Sequence, residues 1–75
     1  MELSEAFGKV LRKHRLRSEM TQEELGFEAN IRRTFISLLE LGHQQPTLKT
    51  IFKLANALNI SPDILIKDTY LLIKI

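Results

Sequence analysis

Few side chains in this sequence of 75 residues have the chemistry for catalysis or metal binding. The chain contains two histidines, His14 and His43, and no cysteine, which excludes thiolate nucleophiles, disulfides and thiolate metal sites. Neither histidine has a nucleophile-like serine partner at a recognisable spacing, and no glycine-rich phosphate loop is present. We therefore predict that the protein is not an enzyme, and we expect no cofactor, metal or small-molecule ligand.

The charged side chains are more informative than the histidines. The net charge is +2, and the basic residues concentrate in residues 9–17 and at Arg32 and Arg33, with acidic residues between them. Such clusters suit the phosphates of a nucleic acid, although a solvated helix face is the alternative explanation. No apolar run approaches the ~20 residues that span a bilayer, and no signal-like leader begins the chain. We expect a soluble, cytoplasmic protein without a membrane partner.

The first half of the chain has the spacing of two helices. Apolar residues from Phe7 onward recur at helical spacing, which predicts a first helix that is capped by Ser4 and ends near Arg17. Thr21 and Glu24 then form a capping-box pattern, in which each side chain bonds a free backbone N–H of the other. A second, short helix is therefore predicted from residue 22 to residue 29, followed by a left-handed Asn30.

Three further helices are predicted after Asn30. The third spans about residues 33–41 and ends at Gly42, and Gly26 allows it to approach the second helix closely. Thr47 caps the fourth helix, which ends at Asn59, and Ser61 with Pro62 begins a short fifth helix. The fold class predicted is all-α: residues 1–75 form one domain, a five-helix bundle in which helices two and three form a helix-turn-helix. A short apolar segment ends the chain, either as a strand or as a continuation of helix five.

Several of these residues form a recognisable sequence pattern. It consists of Met20-Thr21-Gln22-Glu23-Glu24-Leu25, Arg33-Thr34-Phe35-Ile36-Ser37, and then Glu40, Gly42, Pro46 and Thr47. Over residues 7–66 the chain resembles the XRE or Cro/repressor-type helix-turn-helix family, and within it the controller proteins of restriction–modification systems. Phage repressors and antitoxins share much of the pattern.

The resemblance implies that the start of the third helix contacts DNA bases. In this sequence those positions are Arg33, Thr34, Ser37 and Leu38. Their chemistry agrees with that role, because an arginine can bond guanine O6 and N7 together, while threonine offers a hydroxyl to a base and a methyl group to thymine. A phosphate contact is the alternative role for Arg33.

The resemblance also implies contacts with the DNA backbone and an ion pair between two helices of the domain. Candidate phosphate ligands are Thr21, Gln22, Arg32, Gln44 and Lys49. Arg32 departs from the family pattern, which prefers a small capping residue there. A structural ion pair between Arg15 and Glu40 is expected to link the first and third helices.

The implied function is a sequence-specific transcriptional regulator that binds double-stranded DNA at a near-palindromic operator, with autoregulation of the controller type. The alternatives are a phage-type repressor and an antitoxin or interaction module that binds a protein partner. A contact with RNA polymerase is compatible with the controller type, but the sequence indicates no residues for it.

The end of the chain carries more apolar side chains than so small a bundle can easily cover. We therefore predict that residues 64–75 hold a symmetric homodimer together. The side chains assigned to this contact are Ile64, Leu65, Tyr70, Leu71, Ile73 and Ile75.

Overall fold

A computed structural model describes residues 1–74 of the chain. They form five helices: α1 (Leu3–Arg17), α2 (Gln22–Ala29), α3 (Arg33–Glu40), α4 (Leu48–Ala57) and α5 (Pro62–Lys74). No strand occurs within these residues, which confirms the all-α prediction. Ile75, one of the predicted dimerisation residues, lies outside the described residues.

The C-terminal helix includes the apolar segment that the sequence assigns either to a strand or to a continuation of helix five. Helix α5 runs for 13 residues to Lys74, so the continuation is confirmed and the strand alternative is wrong for the described part of the segment. Leu65, Thr69 and Leu72 lie on one side of α5 against the core. The Thr69 hydroxyl donates to the Leu65 carbonyl at 2.7 Å, so this buried polar group is satisfied within the helix. Packing therefore overrides the β propensity of the sequence.

The start of α1 also differs from the prediction. The cap is Glu2 rather than Ser4: the two carboxylate oxygens of Glu2 accept from the Ser4 backbone N–H at 2.9 and 3.0 Å. Ser4 lies inside the first turn and is buried. A carboxylate two residues upstream thus takes the capping role, which also suits the positive end of the helix dipole.

The capping box and the left-handed helix ends predicted for α2 and α3 are present in the structure. Glu24 N–H donates to the Thr21 hydroxyl oxygen at 3.0 Å, and Thr21 N–H donates to the Glu24 carboxylate at 2.8 Å. Asn30 ends α2 in the left-handed region with φ 56°. Gly42, with φ 79°, follows the end of α3 in the same region. The predicted helix-turn-helix is therefore present, and α3 ends one residue earlier than predicted.

The core lies where all five helices meet. Six large side chains have no accessible surface: Leu11, Leu25, Ile36, Leu39, Leu54 and Leu65. Helix α3 packs between α1 and α2, while α4 contacts α2 and α5, and α5 returns to α1. The other helices thus hold α3 in place and leave its outer face exposed.

Two glycines set the distances around α3. A Cβ at Gly26 would lie 2.6 Å from the Ile31 carbonyl oxygen, which confirms the close approach predicted there. A Cβ at Gly8 would lie 2.4 Å from the Leu39 carbonyl oxygen and 2.7 Å from that of Glu40. The role of Gly8 could not be predicted from the sequence, because the partner backbone is about thirty residues away and only the fold brings the two together.

Candidate nucleic-acid interface

Helix α3 has one buried and one exposed face. Ile36 and Leu39 are fully buried and fix the helix on the core. Arg33 and Thr34 are exposed in its first turn, and Ser37 and Leu38 are partly exposed one turn later. All four predicted base-contacting residues therefore have accessible surface, in the geometry that a recognition helix needs in a major groove.

Within residues 1–74 no acidic side chain pairs with the cations at the start of α3. The contacts between basic and acidic side chains there are Arg15–Glu40 and His14–Asp68, and neither involves Arg32 or Arg33. Arg32 is the N-cap of α3 but makes no side-chain capping bond. Both guanidinium groups are therefore available to an external anion or a base edge.

A buried ion pair fixes the position of α3 relative to α1. Arg15 Nε donates to Glu40 Oε2 at 2.6 Å and Arg15 Nη2 donates to Glu40 Oε1 at 2.9 Å, with side chains only 9% and 4% exposed. The third bond of Arg15 goes to the Met20 carbonyl at 2.8 Å. The hydrogen bond to Glu40 raises the pKa of Arg15 above its ordinary value, although burial opposes that effect. The Arg15–Glu40 pair has the geometry that we predicted.

Gln22 joins this network. Its side-chain amide donates to Glu40 Oε1 at 3.1 Å, which ties the first turn of α2 to the end of α3. Gln22 is predicted to contact a phosphate, and its bond to Glu40 was not predicted, since nothing in the local sequence relates residues 22 and 40. The amide keeps a second N–H and its carbonyl oxygen for an external partner.

The remaining backbone candidates are at the surface. Thr21 is exposed at the N-terminus of α2, where its hydroxyl oxygen is already the cap. Gln44 is exposed in the loop after α3, and Lys49 is exposed in the first turn of α4. Neither Gln44 nor Lys49 makes a side-chain hydrogen bond or ion pair within residues 1–74.

His14 has a partner that the sequence did not indicate. The His14 side chain is 8% exposed, and its Nε2 lies 2.7 Å from Asp68 Oδ2 on α5. The two residues are 54 positions apart, so no motif could reveal the contact. This pair ties α1 to α5, and no group of three or more potential metal ligands occurs in the described residues.

An apolar groove lies between α1, α4 and α5. Its volume is about 250 Å³, and it is lined by Leu3, Ser4, Phe7, Gln45, Pro46, Ile51, Ile66, Thr69, Tyr70 and Ile73. Tyr70 and Ile73 belong to the predicted dimerisation set and are 60% and 36% exposed. We refer to this surface as the apolar groove.

The other predicted dimerisation residues are placed differently. Leu65 is fully buried because it faces the core of its own chain, so assigning it to an intermolecular contact is corrected. Ile64 is partly buried and Leu71 is exposed outside the apolar groove. Ile66, which was not in the predicted set, is 48% exposed and lines the groove.

Helices α2 and α3 are short and meet at a tight turn. Helix α3 is fixed to the core on one face and carries free polar and cationic side chains on the other. This arrangement defines a helix-turn-helix DNA-binding protein. None of the helices in residues 1–74 is long and apolar enough to cross a membrane.

Comparison with known proteins agrees with this class. Residues 11–65 match the family described as helix-turn-helix. The chain is 41% identical over 64 residues to the control protein C.BamHI of Bacillus amyloliquefaciens, covering 84% of this chain and 79% of that protein. The crystal structure of the restriction-modification controller protein C.AhdI from Aeromonas hydrophila superimposes with a TM-score of 0.81 at 35% identity, covering 83% of this chain and 94% of that one.

A second controller protein has the same fold. The wild-type restriction-modification controller protein C.Esp1396I superimposes with a TM-score of 0.83 at 28% identity, covering 93% of this chain and 90% of that one. The chain belongs to the helix-turn-helix family, which confirms the resemblance described from the sequence. It is a sequence-specific DNA-binding transcriptional regulator and, as a member of a non-enzymatic family, not an enzyme.

Proposed function

We propose that this regulator is of the controller type: a homodimer that binds a near-palindromic operator beside its own gene and regulates its own synthesis. The observation that carries the proposal is the exposed face of α3, on which Arg33 and Thr34 are free while the opposite face is fixed in the core. The similarity to C.BamHI and C.AhdI favours the controller type over a phage-type repressor or an antitoxin. Such a regulator acts on the cellular DNA, which places it in the cytoplasm.

In this proposal α3 enters the major groove with its N-terminal end. Arg33 bonds guanine O6 and N7, because its planar guanidinium matches both acceptors. Thr34 and Ser37 offer hydroxyl groups to neighbouring base edges, and Leu38 makes apolar contact with a thymine methyl group or the sugar edge. Sequence preference then resides in four side chains on one helix face.

The backbone contacts surround this face. Arg32 and Lys49 supply cations, and Thr21 and Gln44 supply uncharged polar groups, for phosphates on either side of the groove. Gln22 has a double role: its bond to Glu40 holds the carboxamide in place, and its remaining N–H donates to a phosphate. These contacts position the domain and carry no sequence information.

The homodimer forms through the apolar groove. Tyr70 and Ile73 of one protomer fit against the groove of its partner, with Ile66 nearby and Ile64 at the margin, whereas Leu71 lies outside this contact. A two-fold axis there buries large exposed side chains on both chains at once and sets two recognition helices about 34 Å apart, one turn of DNA. A dimer on upstream DNA lies next to RNA polymerase, and a contact with the polymerase belongs to this proposal without assigned residues.

A gel-shift titration on the DNA upstream of the gene tests the function. We expect a complex that forms on this DNA in preference to a random duplex of equal length, and whose affinity falls steeply as salt is raised, because phosphate contacts release counterions. Equal affinity for both duplexes, or no binding at low salt, would contradict the proposal. Footprinting of the same complex shows whether the protected site is near-palindromic.

A further inference from the structure

The outer face of α1 is a cationic surface with an apolar centre. Leu16 is 51% exposed there. Four exposed basic side chains surround a shallow hollow beside it: Lys9, Arg12, Lys13 and Arg17. We call Leu16 and these four residues the cationic face.

The outer face of α2 is its counterpart. Phe27 is 84% exposed, the largest exposed fraction of any large apolar side chain in residues 1–74. It borders a hollow with Met20 and three glutamates, namely Glu23, Glu24 and Glu28. We call Phe27 and these glutamates the acidic face.

The two faces are not paired within the chain. The ion pairs among the described residues are Arg15–Glu40 and His14–Asp68, and neither involves a residue of either face. Glu24 bonds the Thr21 backbone N–H as a cap, but no cation approaches it. Each face thus combines unpaired charge of one sign with an apolar side chain that the fold leaves uncovered.

We propose that the acidic face of one copy of this chain docks on the cationic face of a second copy. The faces are complementary in charge, and each carries an exposed apolar side chain, Phe27 on the acidic face and Leu16 on the cationic face. In this contact the Phe27 ring lies in the shallow hollow beside Leu16, where the cations of Arg12 or Lys13 attract the face of the ring. The glutamates around Phe27 then meet the outer cations of the hollow.

This contact differs from the proposed dimer and is compatible with it. The apolar groove uses Leu3 and Phe7, on the side of α1 opposite the cationic face. The new contact joins two different surfaces, so it is head-to-tail and leaves each copy one free face for the next copy. It therefore links molecules into short chains, held weakly because exposed charges are screened by salt.

Sedimentation velocity without DNA tests the contact in the intact protein. We expect species larger than those at about 0.5 M salt to form as protein concentration rises at about 0.05 M salt, since screening weakens the charged faces. The same mass at both salt concentrations over the whole protein range would overturn the proposal. Because no DNA is present, this result is independent of the proposed function.

Charge reversal then identifies the faces. One variant carries Arg12→Glu with Lys13→Glu, the other Glu23→Lys with Glu28→Lys, and each is expected to weaken the low-salt association at least about tenfold. Mixing the two restores it, because each variant retains the face that the other lacks. The matched control, Lys53→Glu on α4, reverses a charge outside both faces and is expected to associate like the intact protein.

The outcomes are distinct. Variants that associate like the intact protein, or a mixture that gains nothing although circular dichroism shows both variants folded, would overturn the proposal and leave the faces to DNA or to another protein. If a reversed variant does not fold, Phe27→Ser replaces it: this single change leaves every charge in place and is expected to weaken the association by a similar factor. Retained association in folded Phe27→Ser would contradict the role of the ring.

Discussion

Glu40 accepts more side-chain hydrogen bonds than any other acidic residue in the described chain. Its two carboxylate oxygens accept from Arg15 twice and from Gln22 once, and the side chain is 4% exposed. Burying the Glu40 carboxylate costs desolvation free energy, and its three hydrogen bonds offset that cost. The network therefore fixes the orientation of the recognition helix more than it adds to stability.

Removal of that carboxylate leaves Arg15 buried without its partner. We expect Glu40→Ala to lower the free energy of unfolding by about 3 kcal/mol, the cost of an uncompensated buried charge. Urea unfolding followed by circular dichroism measures this change. Glu23→Ala, at an exposed position outside the network, serves as the control and is expected to change stability little. A loss below about 0.5 kcal/mol for Glu40→Ala would mean that the pair behaves as an exposed one.

At the scale of elements, the helix boundaries depend mostly on local chemistry. Asn30 and Asn59 both adopt positive φ where the sequence predicts helix ends, and Gly42 does so after α3. These positions could be predicted because the residue itself supplies the conformation or the cap. The choice of helix over strand at the end of α5, the contact of Gly8 with α3 and the His14–Asp68 pair could not be predicted, because each depends on a neighbour distant in sequence.

The candidate site likewise has features that the sequence predicts and features that only the fold determines. The exposed face of α3 was predictable from the helical spacing of its apolar residues and from the resemblance. The bond between Gln22 and Glu40 was not, because it joins two helices whose relative position only the fold determines. Leu65 was wrongly assigned to the dimer contact, and Ile66 was counted only as part of the 64–75 segment, since apolar composition does not say which side of a helix faces the core.

The close approach of α1 to α3 predicts a strong effect of a single methyl group. We expect Gly8→Ala to lower the free energy of unfolding by roughly 1–3 kcal/mol, because its Cβ would meet the Leu39 and Glu40 carbonyl oxygens and force the helices apart. Thermal or urea unfolding measures the loss, with Lys9→Ala at the adjacent exposed position as the control. An unchanged or higher stability would show that the helices separate without strain.

A substitution at the start of α3 is expected to raise stability. Arg32 occupies the N-cap position but makes no side-chain capping bond, so we expect Arg32→Asn to raise the free energy of unfolding by about 1 kcal/mol, because asparagine supplies that bond. The same variant is expected to bind all DNA sequences more weakly because a cation is lost. Unfolding and gel-shift measurements together check both effects. Lower stability would show that Arg32 contributes contacts that outweigh the cap.

For the whole molecule, the proposed dimer makes a prediction about one helix. We expect Tyr70→Glu to shift the protein from dimer to monomer in sedimentation equilibrium at micromolar concentration, because a charge would have to be buried in the apolar groove. Leu71→Glu is the matched control, since Leu71 is exposed on α5 but does not line the groove. High salt keeps the proposed head-to-tail contact out of the measurement. A monomeric intact protein, or a Tyr70→Glu variant that dimerises like it, would contradict the proposed interface.

The whole molecule is a scaffold that presents one helix face to DNA, and Arg33 is the residue on which sequence preference most depends in this account. Arg33→Ala should therefore be compared with the intact protein on the footprinted operator and on a random duplex at one salt concentration. We expect a loss of about 1–3 kcal/mol on the operator and relaxed preference at one base pair in each half-site. Equal losses on both duplexes would contradict base recognition by Arg33 and reduce it to a phosphate contact.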